Sequence, residues 1–166
     1  VQDEAPRATA DPDPFVRIMR SAEEVARLFA ADSKFYRALY RVLLGISDPV
    51  HRPAFMERAM TYWMTSLEGL GERGLFTADM RREDLALSLL SLYLGVMGLW
   101  VHGEIGDKEF VSRAAYCALS LTLGVATPTD RAHVQNLMKK CQKAHSRTVP
   151  FRPRKTVKSG GQARTA

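Results

Sequence analysis

Apolar residues recur along this chain every three or four positions, the spacing that gathers them on one face of an α-helix. Asp13 followed by Pro14 marks a helix start, with a carboxylate to accept from free backbone N–H groups and a ring that presets φ. Phe15, Ile18, Met19, Ala22, Val25, Ala26 and Phe29 then carry an amphipathic helix to about Ala31. Asp32 is placed to cap a second helix with Phe35, Tyr36, Leu39, Tyr40 and Leu43 on one face, and Gly45 stops it. After a turn at Ser47-Asp48-Pro49, the stripe Phe55, Met56, Ala59, Met60, Trp63, Met64, Leu67 and Leu70 predicts a third helix, from about Pro53 to Gly71 and Gly74. Leu75-Phe76-Thr77-Ala78-Asp79 links it to a fourth at about 82–102. A fifth runs from Asp107, read as its N-cap, to Gly124, and a weaker sixth spans about 129–144. No stretch alternates with period two for long enough to predict a strand. The fold class is all-α, a bundle of five to six helices.

The fourth helix carries three seams. Leu85, Leu89, Leu92, Val96 and Leu99 form an aliphatic one; Ala86, Leu90, Tyr93, Met97 and Trp100 form one of aromatic and thioether groups. The third is small: Ser88, Ser91, Gly95 and Gly98. A helix apolar on every side needs cover on every side. The fifth helix repeats the small theme with Ala114, Ala115, Ala118 and Thr122. Joined by the short loop Gly103-Glu104-Ile105-Gly106, the two predict an antiparallel hairpin that a second copy would complete as a four-helix bundle. The expected dimer interface is the two small seams together. Membrane insertion is the competing reading of Leu85–Val101, which is uncharged over 17 residues. That is the lower limit for a span, and the amphipathic first three helices need water on one face, so no membrane is expected.

Charge changes the picture at one end only. The chain has 166 residues and a formal net charge of +6, with 24 basic and 18 acidic side chains. Nine of the basic groups lie between Lys139 and Ala166, which hold no acidic residue, so 1–138 carries 15 basic against 18 acidic groups, a net of −3. The tail at 147–166, with Pro150, Pro153, Gly160 and Gly161 and few large apolar groups, cannot offset its ordering entropy and is expected to be disordered, as is the N-terminus at 1–12. The "RPRK" run at 152–155 would hold nucleic acid weakly through phosphate charge, without the aromatic platforms of a specific single-strand site. At 46% hydrophobic and 25% charged, the whole is an ordinary globular composition, and two cysteines make no disulfide framework. The N-terminus lacks the basic start and apolar run of a secretion signal, which points to a reducing, cytoplasmic setting.

An Asp-Pro helix start, a short helix ending in Leu43-Leu44-Gly45, and a long helix with Trp63 running into "GLGERGLFTADMRREDLA" form a recognisable order. A hydrophobic helix ending in Leu99-Trp100, a glycine turn and a helix ending in Leu123-Gly124 complete it. The series resembles the C-terminal regulatory domain of TetR/AcrR-type transcriptional regulators over 13–126, with 127–146 as an additional helix. The resemblance implies a ligand pocket enclosed by the helices and a dimer made by the last two. In that family an N-terminal helix-turn-helix reads operator DNA, and ligand binding shifts the two heads. No such head lies ahead of Asp13, so this chain is expected to be the sensing and dimerising half; a helix-turn-helix with its connecting helix would take about 60–80 residues.

Tyr36, Tyr40, Met60, Trp63, Met64, Tyr93, Met97 and Trp100 are the ligand-binding candidates: aromatic and Met side chains supply apolar walls, and phenols and indoles supply polar handles. Each is also a good core residue. The expected effector is therefore small and mostly apolar; the alternative is a helical protein-interaction module with a packed core and no small-molecule ligand. Gly69-Leu70-Gly71-Glu72-Arg73-Gly74 matches G-x-G-x-x-G, but a helix precedes it where a dinucleotide site needs a strand, so it reads as a helix stop. Cys141, His145 and His133 share a helical stripe, yet His133 stands about 12 Å from Cys141 at the standard rise, too far for one ion. Lys139, Lys140 and Lys143 around Cys141 suggest a thiol with a depressed pKa. His102 ends the fourth helix as a cation favourable to its dipole when protonated. No nucleophile elbow, H-E-x-x-H or Walker loop occurs, and neither enzymatic activity nor a cofactor or metal is expected.

Overall fold

The computed structural model describes residues 11–45, 51–71 and 81–145. Among them are helices and no strand, in the order α1 (Pro14–Ala31), α2 (Ser33–Gly45), α3 (His51–Ser66), α4 (Glu68–Gly71), α5 (Arg82–Val101), α6 (Asp107–Val125) and α7 (Pro128–Gln142). The all-α reading holds. The link at 75–79, the turn at 47–49, the end of the G-x-G-x-x-G stretch and the tail at 147–166 lie outside the described residues.

Local chemistry explains the helix ends. Asp13 Oδ1 accepts from the backbone N–H of Phe15 and of Val16, at 2.9 and 3.4 Å, and Pro14 occupies the first helical position. Asp11, assigned by composition to the flexible N-terminus, is tied down: its carbonyl accepts from Arg17 and its carboxylate pairs with Arg20 at 2.8 Å. α7 starts one residue before its sequence-based boundary, where Thr127 Oγ1 accepts from Asp130 N and donates to Asp130 Oδ2, ahead of Pro128. The predicted third helix breaks at Leu67 into α3 and the single turn α4. His102 caps the C-terminus of α5. Gly103 then takes φ +75°, its N–H bonding Trp100 O at 3.0 Å while Glu104 N–H reaches Leu99 O at 2.9 Å. That paired closure needs a left-handed residue, which glycine supplies without strain.

α6 lies at the centre. It packs most extensively against α1, then α7 and α5, while α5 also receives α3 and α2. The small seam of α6 is used inside the chain: Ala114, Ala115, Ala118 and Thr122 are all buried. This corrects their assignment to a dimer interface. Ala22 and Ala26 on α1 are buried as well, and small side chains on both helices permit the close approach of that pair. A polar clasp joins α1 to α3, with Tyr62 OH donating to Ser21 O at 3.0 Å and Ser66 Oγ 3.1 Å from Ser21 Oγ.

Candidate functional site

α5 separates its three seams by burial. Ala86, Leu90, Tyr93, Met97 and Trp100 are all buried, as are Leu85, Leu89 and Val96. Ser88, Ser91 and Gly95 are exposed and Gly98 is half-buried; a Cβ added at either glycine would meet nothing within 4 Å among the described residues. Leu87 and Leu92 are exposed beside them, at 50% and 41%. The third seam is therefore a surface of small residues edged by leucines. It leads into an open groove of about 360 Å³ between the start of α5 and the end of α6, lined by Leu85, Ser88, Leu121 and Gly124 among others. By length and composition α5 is also the one described helix apolar enough to cross a membrane, but half of it is buried in the chain.

Aromatic rings line the interior in two groups. At the junction of α1, α2 and α3, Phe29 lies 4.9 Å from Tyr36 and 5.0 Å from Tyr40, and Tyr40 lies 5.6 Å from Phe55. Where α3, α5 and α6 meet, Trp63 lies 5.6 Å from Tyr93, and Tyr93 lies 6.1 Å from Phe110. Phe110 stacks on Trp100 at 4.6 Å with the planes 12° apart. Of the eight pocket candidates, Tyr40, Trp63, Tyr93, Met97 and Trp100 are buried, and Tyr36, Met60 and Met64 are half-buried. All belong to, or pack against, one apolar core. Trp100 stands apart from the Trp63–Tyr93 pair, on the far side of Phe110.

Sequence reasoning placed Phe29 and Phe55 on apolar faces but brought neither of them, nor Phe110, to the site, because ring-on-ring contact between helices leaves no periodic signal. It also missed Arg37. That guanidinium sits 4.9 Å above the Trp100 ring and donates to Asp107 Oδ1 at 2.9 Å, while Trp100 Nε1 donates to the same oxygen at 2.7 Å. Asp107 is thus no cap; Gly106 holds that position without a side-chain bond, and the carboxylate is turned to the indole and guanidinium.

Buried phenols set the electrostatics. Burial, reinforced by Tyr36, pushes the Tyr40 ionisation up; burial, with Glu24 adding and the Ser21 side chain opposing, pushes Tyr62 to about 12. Tyr93 is raised well above the usual phenol value, by burial first and then by Tyr40 and Tyr62. Its hydroxyl, shielded from solvent, has no hydrogen-bond partner among the described residues; Arg37 Nε and His145 Nε2 share that condition. Cys141 reverses its sequence reading. Burial, then the charge of Glu23, lifts the thiol to about 11, and the thiol lies inside while Lys139, Lys140 and Lys143 are exposed. Cys117 is raised by burial too, against a lowering pull from Arg113.

No family model, curated protein or solved structure matches the chain.

Proposed function

We propose that this chain is the effector-sensing and dimerising domain of a TetR-type transcriptional regulator, cytoplasmic, binding a small and mostly apolar molecule and working as a homodimer. The observation that supports it most is the two-sidedness of α5. One face buries Tyr93, Met97 and Trp100 among the rings of α3 and α6; the opposite face leaves Ser88, Ser91 and Gly95 open, with Leu87 and Leu92 beside them. A ligand entering the aromatic side moves α5, and a second copy packed on the small side feels that movement. That is the minimal coupling an allosteric regulator needs: two sites biasing one element. Operator reading belongs, on this proposal, to a helix-turn-helix outside these residues, and the basic stretch from Lys139 onward adds only sequence-independent attraction to phosphate.

The second reading, a protein-interaction module with no small-molecule ligand, is favoured by one observation. Phe35 and Val42 on α2 are 55% and 53% exposed, with Leu39 between them, an apolar face of the kind that docks another protein. A thermal-shift screen with apolar compounds, run beside sedimentation velocity, separates the two. Stabilisation of a dimer by at least one compound class supports the regulator. A monomer that no apolar compound stabilises would overturn it.

A further inference from the structure

Tyr93 is buried to 6% exposure within a shell whose nearest rings are Trp63 and Phe110, and its hydroxyl bonds to no described group. Such a hydroxyl costs the fold the water it gave up without a bond in return, whereas phenylalanine would fill nearly the same volume without that cost. The neighbouring phenol of Tyr62 shows the contrast: its hydroxyl donates to Ser21 O at 3.0 Å. We infer that the Tyr93 hydroxyl is the polar anchor of the effector site, donating its proton to a hydrogen-bond acceptor on an otherwise apolar, uncharged ligand.

Three features specify that ligand class. Burial keeps the phenol protonated far beyond neutral pH, so the group has a proton to donate. The side chains around it, Trp63, Phe110, Tyr40 and Tyr62, are all uncharged at neutral pH, and an ionised ligand there would lack a compensating partner. The surrounding rings and Met97, one turn further along α5, are packed in the core, so a ligand enters by parting them, and they would favour flat apolar surface. A ketone, ester or ether on an aromatic or alicyclic body fits; a hydrocarbon leaves the hydroxyl unbonded, and a carboxylate brings an uncompensated charge. The inference rests on the effector-sensing reading and deepens it.

The test compares wild type, Tyr93→Phe and Tyr62→Phe. Without any probe, Tyr93→Phe should raise the melting temperature by about 3 °C, because it removes a hydroxyl that bonds nothing, and Tyr62→Phe should lower it. Binding is then measured by calorimetry with 2-acetylnaphthalene and 2-ethylnaphthalene, which match in shape and differ in the carbonyl. Wild type should prefer the ketone by about tenfold, the equivalent of one ordinary hydrogen bond, and Tyr93→Phe should bind the two alike. Equal binding of both probes by wild type, or a melting temperature that falls in Tyr93→Phe as it does in Tyr62→Phe, overturns the anchor and leaves the sensing reading standing. If neither probe binds wild type, the sensing reading fails and the anchor fails with it.

Discussion

Trp100 Nε1 and Asp107 Oδ1 lie 2.7 Å apart across the turn that joins α5 to α6. The same oxygen takes Arg37 from α2, and Arg41 reaches Val101 O with Nε and a terminal nitrogen at 3.3 and 3.2 Å. Three elements thus meet at one carboxylate and one helix end. Removing the acceptor leaves a buried indole N–H and a partly buried guanidinium without it, so Asp107→Ala should cost about 1–3 kcal/mol, and Asp107→Asn, which retains an acceptor oxygen, clearly less. Urea unfolding followed by tryptophan fluorescence measures both. Equal, negligible losses would show that the shared carboxylate does not hold α2 to the hairpin.

At the other end of the bundle, His133 Nε2 on α7 lies 2.6 Å from Asp13 Oδ2, while Oδ1 of the same carboxylate caps α1. Asp13→Ala removes cap and pair together and should destabilise by about 1–2 kcal/mol. His133→Ala removes only a partly exposed pair, and its edge contact with Phe15, for about 1 kcal/mol or less. Chemical denaturation at fixed pH ranks them; the reverse order would contradict the capping role.

The thiols give stability a pH dependence of known sign. In the unfolded chain Cys141 ionises near its ordinary value of 9.0, whereas in the fold it keeps its proton to about 11. Between those values the folded state holds more protons, so unfolding free energy is unaffected below about 9 and falls as pH rises toward 11. The raised phenols of Tyr62, Tyr40 and Tyr93 add to the decline from about pH 10, their unfolded value, upward. In the Cys141→Ala variant the urea midpoint should fall less steeply between pH 9 and 11. At pH 8 the native thiol should react slowly with a disulfide reagent and quickly once unfolded. Fast native labelling would restore the lysine-activated reading.

Gly95 offers a test of the open face of α5. Alanine there meets no atom of the described residues within 4 Å, so Gly95→Ala should stabilise an isolated subunit by about 1 kcal/mol through helix propensity. A second helix packed closely on the seam would resist the methyl group, and Ser91→Glu would place a charge in it. Sedimentation equilibrium should show both variants weakening self-association while circular dichroism stays helical. Unchanged association in both would remove this face from the interface.

Helix content and helix limits were legible because they depend on neighbours in sequence. Asp13-Pro14 and Gly45 give the ends at which α1 starts and α2 stops, and the apolar spacing gives the inward face of α1; on α2 it gives the inward Tyr36 and Tyr40 together with Phe35 and Leu39, which the fold leaves exposed. The three seams of α5 were legible for the same reason. Which seam meets which neighbour was not. Ala114 and Ser88 belong to similar small stripes, yet one is buried beside α1 and the other faces solvent, since burial depends on what the rest of the chain brings alongside. Asp107 reads as a cap from its position before a helix, and only the approach of Arg37, 70 residues away, turns its carboxylate to another use. Cys141 reads as activated when only its lysine neighbours are counted, and as inert once its side chain is seen to point inward. Helices and their apolar stripes follow from the order of residues, because backbone hydrogen bonding and side-chain periodicity are local. Tertiary structure alone decided partners, exposure and proton affinity, because desolvation and long-range contact exist only after the helices have packed.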